Sequence, residues 1–201
     1  MNRTITQLSV VDAAQVVTLV EAKSHLRLTD DYDDDRIVGE IDAAISWSED
    51  ITSRAIRRVQ YLLSTDGFQR IDNRASIRLQ GYVSSVDSIK YRNSAGTLQT
   101  IATTVYQTLK GQHSTLIREA QNQSWPPLEY FMDALQVTFT AGWIASDVPH
   151  QIRQAILLKL GSLHFVRAPG DNTDDHNTAI GRLGVEGAAQ ALLNPWKLPV
   201  W

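Results

Sequence analysis

The apolar residues of this chain change period twice, and those changes fix the order of its elements. From about Asp35 to Arg57, Ile37, Ile41, Ala44, Ile45, Ser48, Ile51 and Ala55 recur at helical steps, while Arg36, Glu40, Glu49 and Arg54 fall elsewhere. From Val59 the period becomes β-like. VQYLLST, ASIRLQ, SVDSIKYR, TLQTI, TVYQTLK and STLIRE read as strands, and ALQVTFTAGW alternates Leu135, Val137 and Phe139 with Gln136, Thr138 and Thr140. After Pro149, QIRQAILLKLGSLHFVR is apolar around most of a helical circumference and should be widely buried. The order of helices, strands, then a helix predicts an α+β fold with a mostly antiparallel sheet.

Smaller signals refine this frame. TLVEAKSHLRL opens with Thr18 three residues before Glu21, the capping-box spacing, and precedes the long helix with a short one. NSAG is a hairpin loop in which Asn93 and Gly96 are expected to supply unusual backbone angles. Residues 1–17 read as an extended arm, and 167–201 as a long irregular segment ending in an extended tail. The expected division is therefore an arm (1–17), a core domain (18–166) and a tail for partner contact (167–201).

Composition narrows the function classes. The 201 residues include 43% apolar and 20% charged, ordinary globular proportions, and the formal net charge of −3 gives no basic field for nucleic acid. Without cysteine there is no disulfide, thiol chemistry or zinc–thiolate site. The first residues lack the pattern of a secretory signal, and no stretch approaches the length of a membrane span. The five histidines, His25, His113, His150, His164 and His176, show no metal-ligand spacing, and no GxSxG, HExxH, P-loop or GxGxxG pattern occurs. The expectation is a protein with no catalytic residues, metal or cofactor. Tyr61, Tyr82, Tyr91, Tyr106 and Phe139 lack the interleaved basic groove of a base-stacking platform, so sheet packing is their expected role.

Two polar or apolar clusters remain. Asp30, Asp31, Asp33, Asp34 and Asp35 do not fit a calcium loop, because Arg36 occupies the sixth place counted from Asp31 and Asp42 the twelfth. They are either first-turn carboxylates favoured by the helix dipole or an acidic functional surface. In ALLNPWKLPVW, Leu192, Leu193, Pro195, Trp196, Leu198 and Trp201 form a proline-stiffened apolar strip. That strip either folds back on its own subunit or is captured by a partner.

The order of these segments resembles the head–tail connector (adaptor, or head-completion) proteins of tailed bacteriophages and gene transfer agents. The resemblance lies in Glu21, Ala22, Lys23, His25 and Leu26, the Asp30–Asp35 turn, and Thr52 with Arg54. It continues through Asp66-Gly67-Phe68, the strand carrying Ser85, Val86, Ser88, Ile89 and Tyr91, Gln123 to Pro126, Val137 to Trp143, and Val148-Pro149 before IRQAILL. It covers roughly 18–166, departing at QGYVSSV and beyond residue 167. It implies a non-enzymatic virion protein that forms a ring, on the order of twelve copies, beneath the portal. Such a ring would join portal to tail and continue the DNA channel without binding DNA specifically. Its long helix and sheet would supply much of the subunit contact. The implied partners are the portal protein and a tail-proximal stopper, and the implied location is the virion neck, with assembly in the host cytoplasm. A stopper or tail-completion role, or a DNA-binding packaging factor using Arg54, Arg57 and Arg58, are the alternatives.

Overall fold

The computed structural model describes residues 2–11, 16–129, 131–165 and 175–198. In chain order its elements are β1 (Arg3–Val10), α1 (Leu19–Leu26), α2 (Asp34–Thr52), β2 (Val59–Thr65), β3 (Gln69–Ile71), β4 (Arg74–Gln80), β5 (Val83–Arg92), β6 (Leu98–Thr100), β7 (Tyr106–Lys110), β8 (Ser114–Glu119), β9 (Leu135–Ala141), α3 (His150–Phe165) and α4 (Asp175–Leu193). The fold is α+β, with a helical pair near the N-terminus, antiparallel sheets and a buried C-terminal helix. The chain divides into two compact units. A sheet unit is built from Met1–Ala13 and Arg57–Trp143, and a helical unit from Ala14–Ile56 and Ile144–Trp201.

The sheet unit holds a five-stranded sheet in the order β1-β2-β9-β5-β6 and a four-stranded sheet in the order β3-β4-β8-β7. β9 is central because its alternation is the strongest. Val137 lies opposite both Leu63 of β2 and Ile89 of β5, and all three are buried. Phe139 stacks on Tyr61 with centroids 5.7 Å apart. In the other sheet Ile77, Leu79 and Ile117 are buried, each contributing roughly 1.5–3 kcal/mol. The loop after β8 is pinned by Trp125, which stacks between Phe68 (4.6 Å) and Tyr106 (6.3 Å) and donates from Nε1 to the Ala75 carbonyl at 3.1 Å. The tyrosines with ring contacts here thus pack against other rings, including Tyr82 on Trp143 at 5.0 Å.

Two turns are decided by backbone geometry. In the 93–97 loop only Gly96 has positive φ (73°); Asn93 instead accepts the N–H groups of Ala95 and Thr97 on its side-chain oxygen. Gly142, after β9, has φ of 92°, and a Cβ there would lie 2.0 Å from the Arg57 carbonyl oxygen. That position admits no side chain.

Within the extended N-terminal arm the structure places a strand. Residues Arg3 to Val10 pair with β2 as an edge strand, and seven of the eight are exposed, so no buried face marked it in the sequence.

In the helical unit, Thr18 caps α1 by accepting the Glu21 N–H at 3.2 Å, and left-handed Arg27 ends the helix. α2 starts near the expected place but stops at Thr52, because Ser53 adopts the left-handed conformation at φ 53°. α3 packs against both α2 and α4, with Ile152, Ala155, Ile156 and Leu160 fully buried. Arg153 ties this unit together, donating to the Val16 and Ala145 carbonyls and to Glu21 at 3.0 Å. Among the described residues no helix is long and apolar enough to cross a membrane.

Candidate partner-binding surfaces

The C-terminal segment is not an extended strip. Beyond the undescribed residues 166–174, the chain forms α4 and then a 3-10 turn, Asn194–Trp196. Ala189 and Leu193 are fully buried. The Trp196 indole N–H donates to Gln151 Oε1 at 2.8 Å, its carbonyl accepts from Arg54 Nε, and the Leu198 N–H donates to the Thr52 carbonyl at 3.0 Å. The fold-back reading therefore describes residues up to Leu198, and the expected extended tail is corrected: four residues apart, buried Ala189 and Leu193 are one helical face, which a strip could not present. Pro199, Val200 and Trp201 lie outside the described residues.

Of the six apolar residues singled out, Leu193 belongs to the core, Leu192, Trp196 and Leu198 are half-buried, and Pro195 is exposed. Leu192 borders an open groove of about 380 Å³ whose other walls include Glu21, His150, Gln151, Arg153 and Leu157. Its lining is mostly polar, with Leu157 and Leu192 as the apolar members.

Arg54 was expected on the polar side of α2, but it is only 4% exposed, and burial pushes its guanidinium pKa down. The C-terminal turn covers it. Arg54, Arg57 and Arg58 consequently do not make a surface patch of three.

The acidic turn is internally compensated. Lys23 of α1 bonds Asp31 and, at 2.8 Å, Asp34; these bonds raise the lysine pKa and the lysine lowers that of Asp31. Arg36 pairs with Asp33 at 2.9 Å, and the Asp30 side chain accepts the Tyr32 N–H. Asp33 sits at the N-cap without a side-chain capping bond, and Asp35 is exposed in the first turn. Among the described residues no group of three His, Asp or Glu side chains is placed to share an ion.

One polar cluster was missed from sequence. Glu40, expected on the solvent side of α2, is only 8% exposed: its Oε2 lies 3.0 Å from His164 Nδ1, and its Oε1 forms an ion pair with Arg36 Nε at 3.6 Å. Glu40 is one turn from Ile37 and Ala44, so the helix period itself offered the signal; its partner, 124 positions away, did not. The pair is a buried tie between α2 and α3.

A second tie joins α3 to α4. Lys159 Nζ lies 2.6 Å from Glu186 and 5.0 Å above the Trp47 ring. The Lys159 bond holds the Glu186 carboxyl pKa below its usual value. A depressed carboxylate stabilises the fold fully above its unfolded pKa and ceases to do so as pH falls through the lower folded value. Acid titration should therefore loosen α4, and Glu186→Gln should flatten that part of the stability profile below about pH 4.5, as followed by urea denaturation at stepped pH.

No protein-family model matches this sequence, and no curated protein matches it. Solved structures do match. A chain in the neck of an empty gene transfer agent particle, computed with C6 symmetry, aligns with a TM-score of 0.71 at 19% identity, covering 98% of this chain and 97% of that one. A chain of the native gene transfer agent virion aligns at 0.66 and 18% identity. A chain from the native neck computed with C12 symmetry aligns at 0.66 and 17% identity, over 98% and 97% of the two chains. The fold is shared from end to end, including α4.

Proposed function

We propose that this chain is a structural component of the neck of a tailed phage-like particle, a head–tail connector that forms a ring beneath the portal and continues the DNA channel toward the tail. The observation that carries this reading is the end-to-end likeness to chains of gene transfer agent necks, one of them in a C12-symmetric assembly. The ordered motifs from Glu21 to Leu157 support it independently. So does the architecture, in which the notable polar clusters are ion pairs tying helices together. On this reading the ring has about twelve copies, as in the twelvefold neck, joined by heterologous contacts.

The portal or an adjacent subunit is the proposed partner of Leu192, Pro195, Trp196 and Leu198. Leu192 borders the open groove, and Pro195, Trp196 and Leu198 keep exposed surface, while Leu193 stays in the core. Trp201 is proposed to contact the same partner. DNA would pass through the channel without specific contacts, as suits a chain of net charge −3. The protein would reside in the virion neck after assembly in the host cytoplasm.

Deleting the gene should yield DNA-filled heads without tails, restored by the wild-type chain. Cryo-electron microscopy of restored particles should show the ring in direct contact with the portal. A ring one layer lower would make it a stopper, and tailed particles in the deletion strain would remove the neck role altogether. Trp196→Ala should weaken portal docking by roughly 2 kcal/mol, measured by co-sedimentation with portal.

A further inference from the structure

The charges of this chain are sorted between its two units. The sheet unit holds ten Lys and Arg against seven Asp and Glu, a formal +3; the helical unit holds nine against fifteen, a formal −6, and together they give the −3 of the whole chain. In the sheet unit part of the excess lies on one face. Directly opposed residues of antiparallel strands point the same way, so the registers Ile71↔Arg74, Ser76↔Arg118 and Arg78↔Leu116 put Arg74, Arg78 and Arg118 on one side of the four-stranded sheet. Buried Ile77, Leu79 and Ile117 take the other side. Arg118 pairs with Asp72 at 2.6 Å, whereas neither Arg74 nor Arg78 has an ion-pair partner among the described residues.

The helical unit presents the opposite chemistry. The exposed positions of α2 are Asp35, Gly39, Asp42, Ala43, Ser46 and Asp50, which fall within about 100° of one another on a 3.6-residue helix. Three carboxylates thus alternate with side chains no larger than serine. Gly39 is the telling member. Glycine weakens a helix interior relative to alanine, yet a Cβ built at Gly39 meets nothing within 4 Å. Packing among the described residues therefore does not ask for a bare backbone there.

We propose that copies of this chain join head to tail, the acidic small-residue face of α2 in one copy seating on the arginine face of the four-stranded sheet in the next. The proposal rests on the ring reading and names the contact that closes the ring. A heterologous contact needs two different, complementary faces on each copy, which is what these are. Short aspartates reach a partner only if the backbones come close, and Gly39, Ala43 and Ser46 permit that approach. Arginine forks then donate two parallel hydrogen bonds to each carboxylate, a geometry lysine does not reproduce. Phosphate would suit the arginines too, but the overall −3 charge opposes approach of DNA.

Charge exchange tests the contact in the full-length protein. Arg74→Glu with Arg78→Glu reverses one face, and Asp42→Lys with Asp50→Lys reverses the other. By native mass spectrometry at low salt, wild-type chains should associate, and association should fall at least tenfold as salt is raised. Each reversed variant alone should remain a single copy, while an equal mixture should associate in alternating order, since every contact is then complementary. Gly39→Leu should keep or raise the melting temperature and still abolish association. The proposal is overturned by wild-type chains that stay single at low salt, by reversed variants that associate as wild type does, or by folded variants whose mixture is not restored. It is equally overturned if the arginine variant loses only binding to double-stranded DNA, which would assign that face to phosphate. None of these failures touches the neck reading, which stands or falls on the position of the ring in particles.

Discussion

Gly142→Ala is expected to unfold the sheet unit. The substitution places a methyl group 2.0 Å from the Arg57 carbonyl oxygen and 2.6 Å from its carbon, both backbone atoms that cannot swing aside. It also forces a non-glycine residue to φ of 92°. Strain of this kind, added to displacement of the strand ends, should cost on the order of 3–5 kcal/mol, a large share of a typical domain's stability. Gly142 also donates its N–H to the Tyr82 carbonyl at 3.0 Å, so a shift that relieves the clash disturbs the start of β5 as well. Gly67→Ala is the control. Its Cβ would rest 3.8 Å from a Leu128 methyl, an ordinary contact, and should change stability by less than about 1 kcal/mol. Chemical denaturation followed by tryptophan fluorescence separates the two outcomes. Equal midpoints would mean that the turn relaxes at no cost.

Truncation after Gly187 should be nearly as damaging to the helical unit. It removes fully buried Ala189 and Leu193, and a Leu193→Ala substitution alone is worth roughly 2–5 kcal/mol. It also takes away the Trp196 carbonyl that accepts from buried Arg54, and a buried charged donor that loses an acceptor costs a further 1–3 kcal/mol or so. These terms share one cluster and will not simply add. The truncated chain should lose cooperative melting of the helical unit by far-ultraviolet circular dichroism, whereas Pro195→Ala should leave it close to wild type. A truncated chain that melts like the full-length one would show that the last helix stabilises nothing.

This second expectation reverses what the sequence suggested, and the reason is instructive. Gly181, Gly184 and Gly187 each weaken a helix by nearly 1 kcal/mol, and together with the polar residues before them they make α4 look irregular. Packing against α3 outweighs that propensity, and packing is not visible in a local window. β1 escaped for the opposite reason: its apolar residues, Ile5, Leu8 and Val10, keep no strict two-residue step and almost all of the strand is exposed, so no apolar contrast separates it from an arm. Most elements were legible: α1, α2, α3, β2, β4, β5, β8 and β9 have buried positions at a regular step, and the more exposed β6 and β7 were read from their strand-forming residues. Of the candidate surfaces, the acidic turn was legible as a cluster, but its neutralisation by Lys23 was not, since that requires knowing that two helices meet. Buried Glu40 and Arg54 were assigned to solvent because a charged residue beside an apolar stripe has no readable partner until the chain has folded.

The interleaving of the two units bears on when this protein becomes complete. The chain enters the sheet unit, leaves it, returns and leaves again, so each unit is assembled from two separated stretches. During synthesis α1 and α2 emerge early, yet the helices that bury their apolar stripe are encoded after Trp143. Those early helices must wait, at several residues per second, for roughly ninety further residues before a lasting core can form around them. A prematurely released chain therefore lacks α3 and presents an unfinished surface to chaperones and proteases. If ring closure uses the exposed side of α2, that surface becomes presentable only in a chain translated through α3, and copies cut short before it are kept out of the assembly by their own folding order.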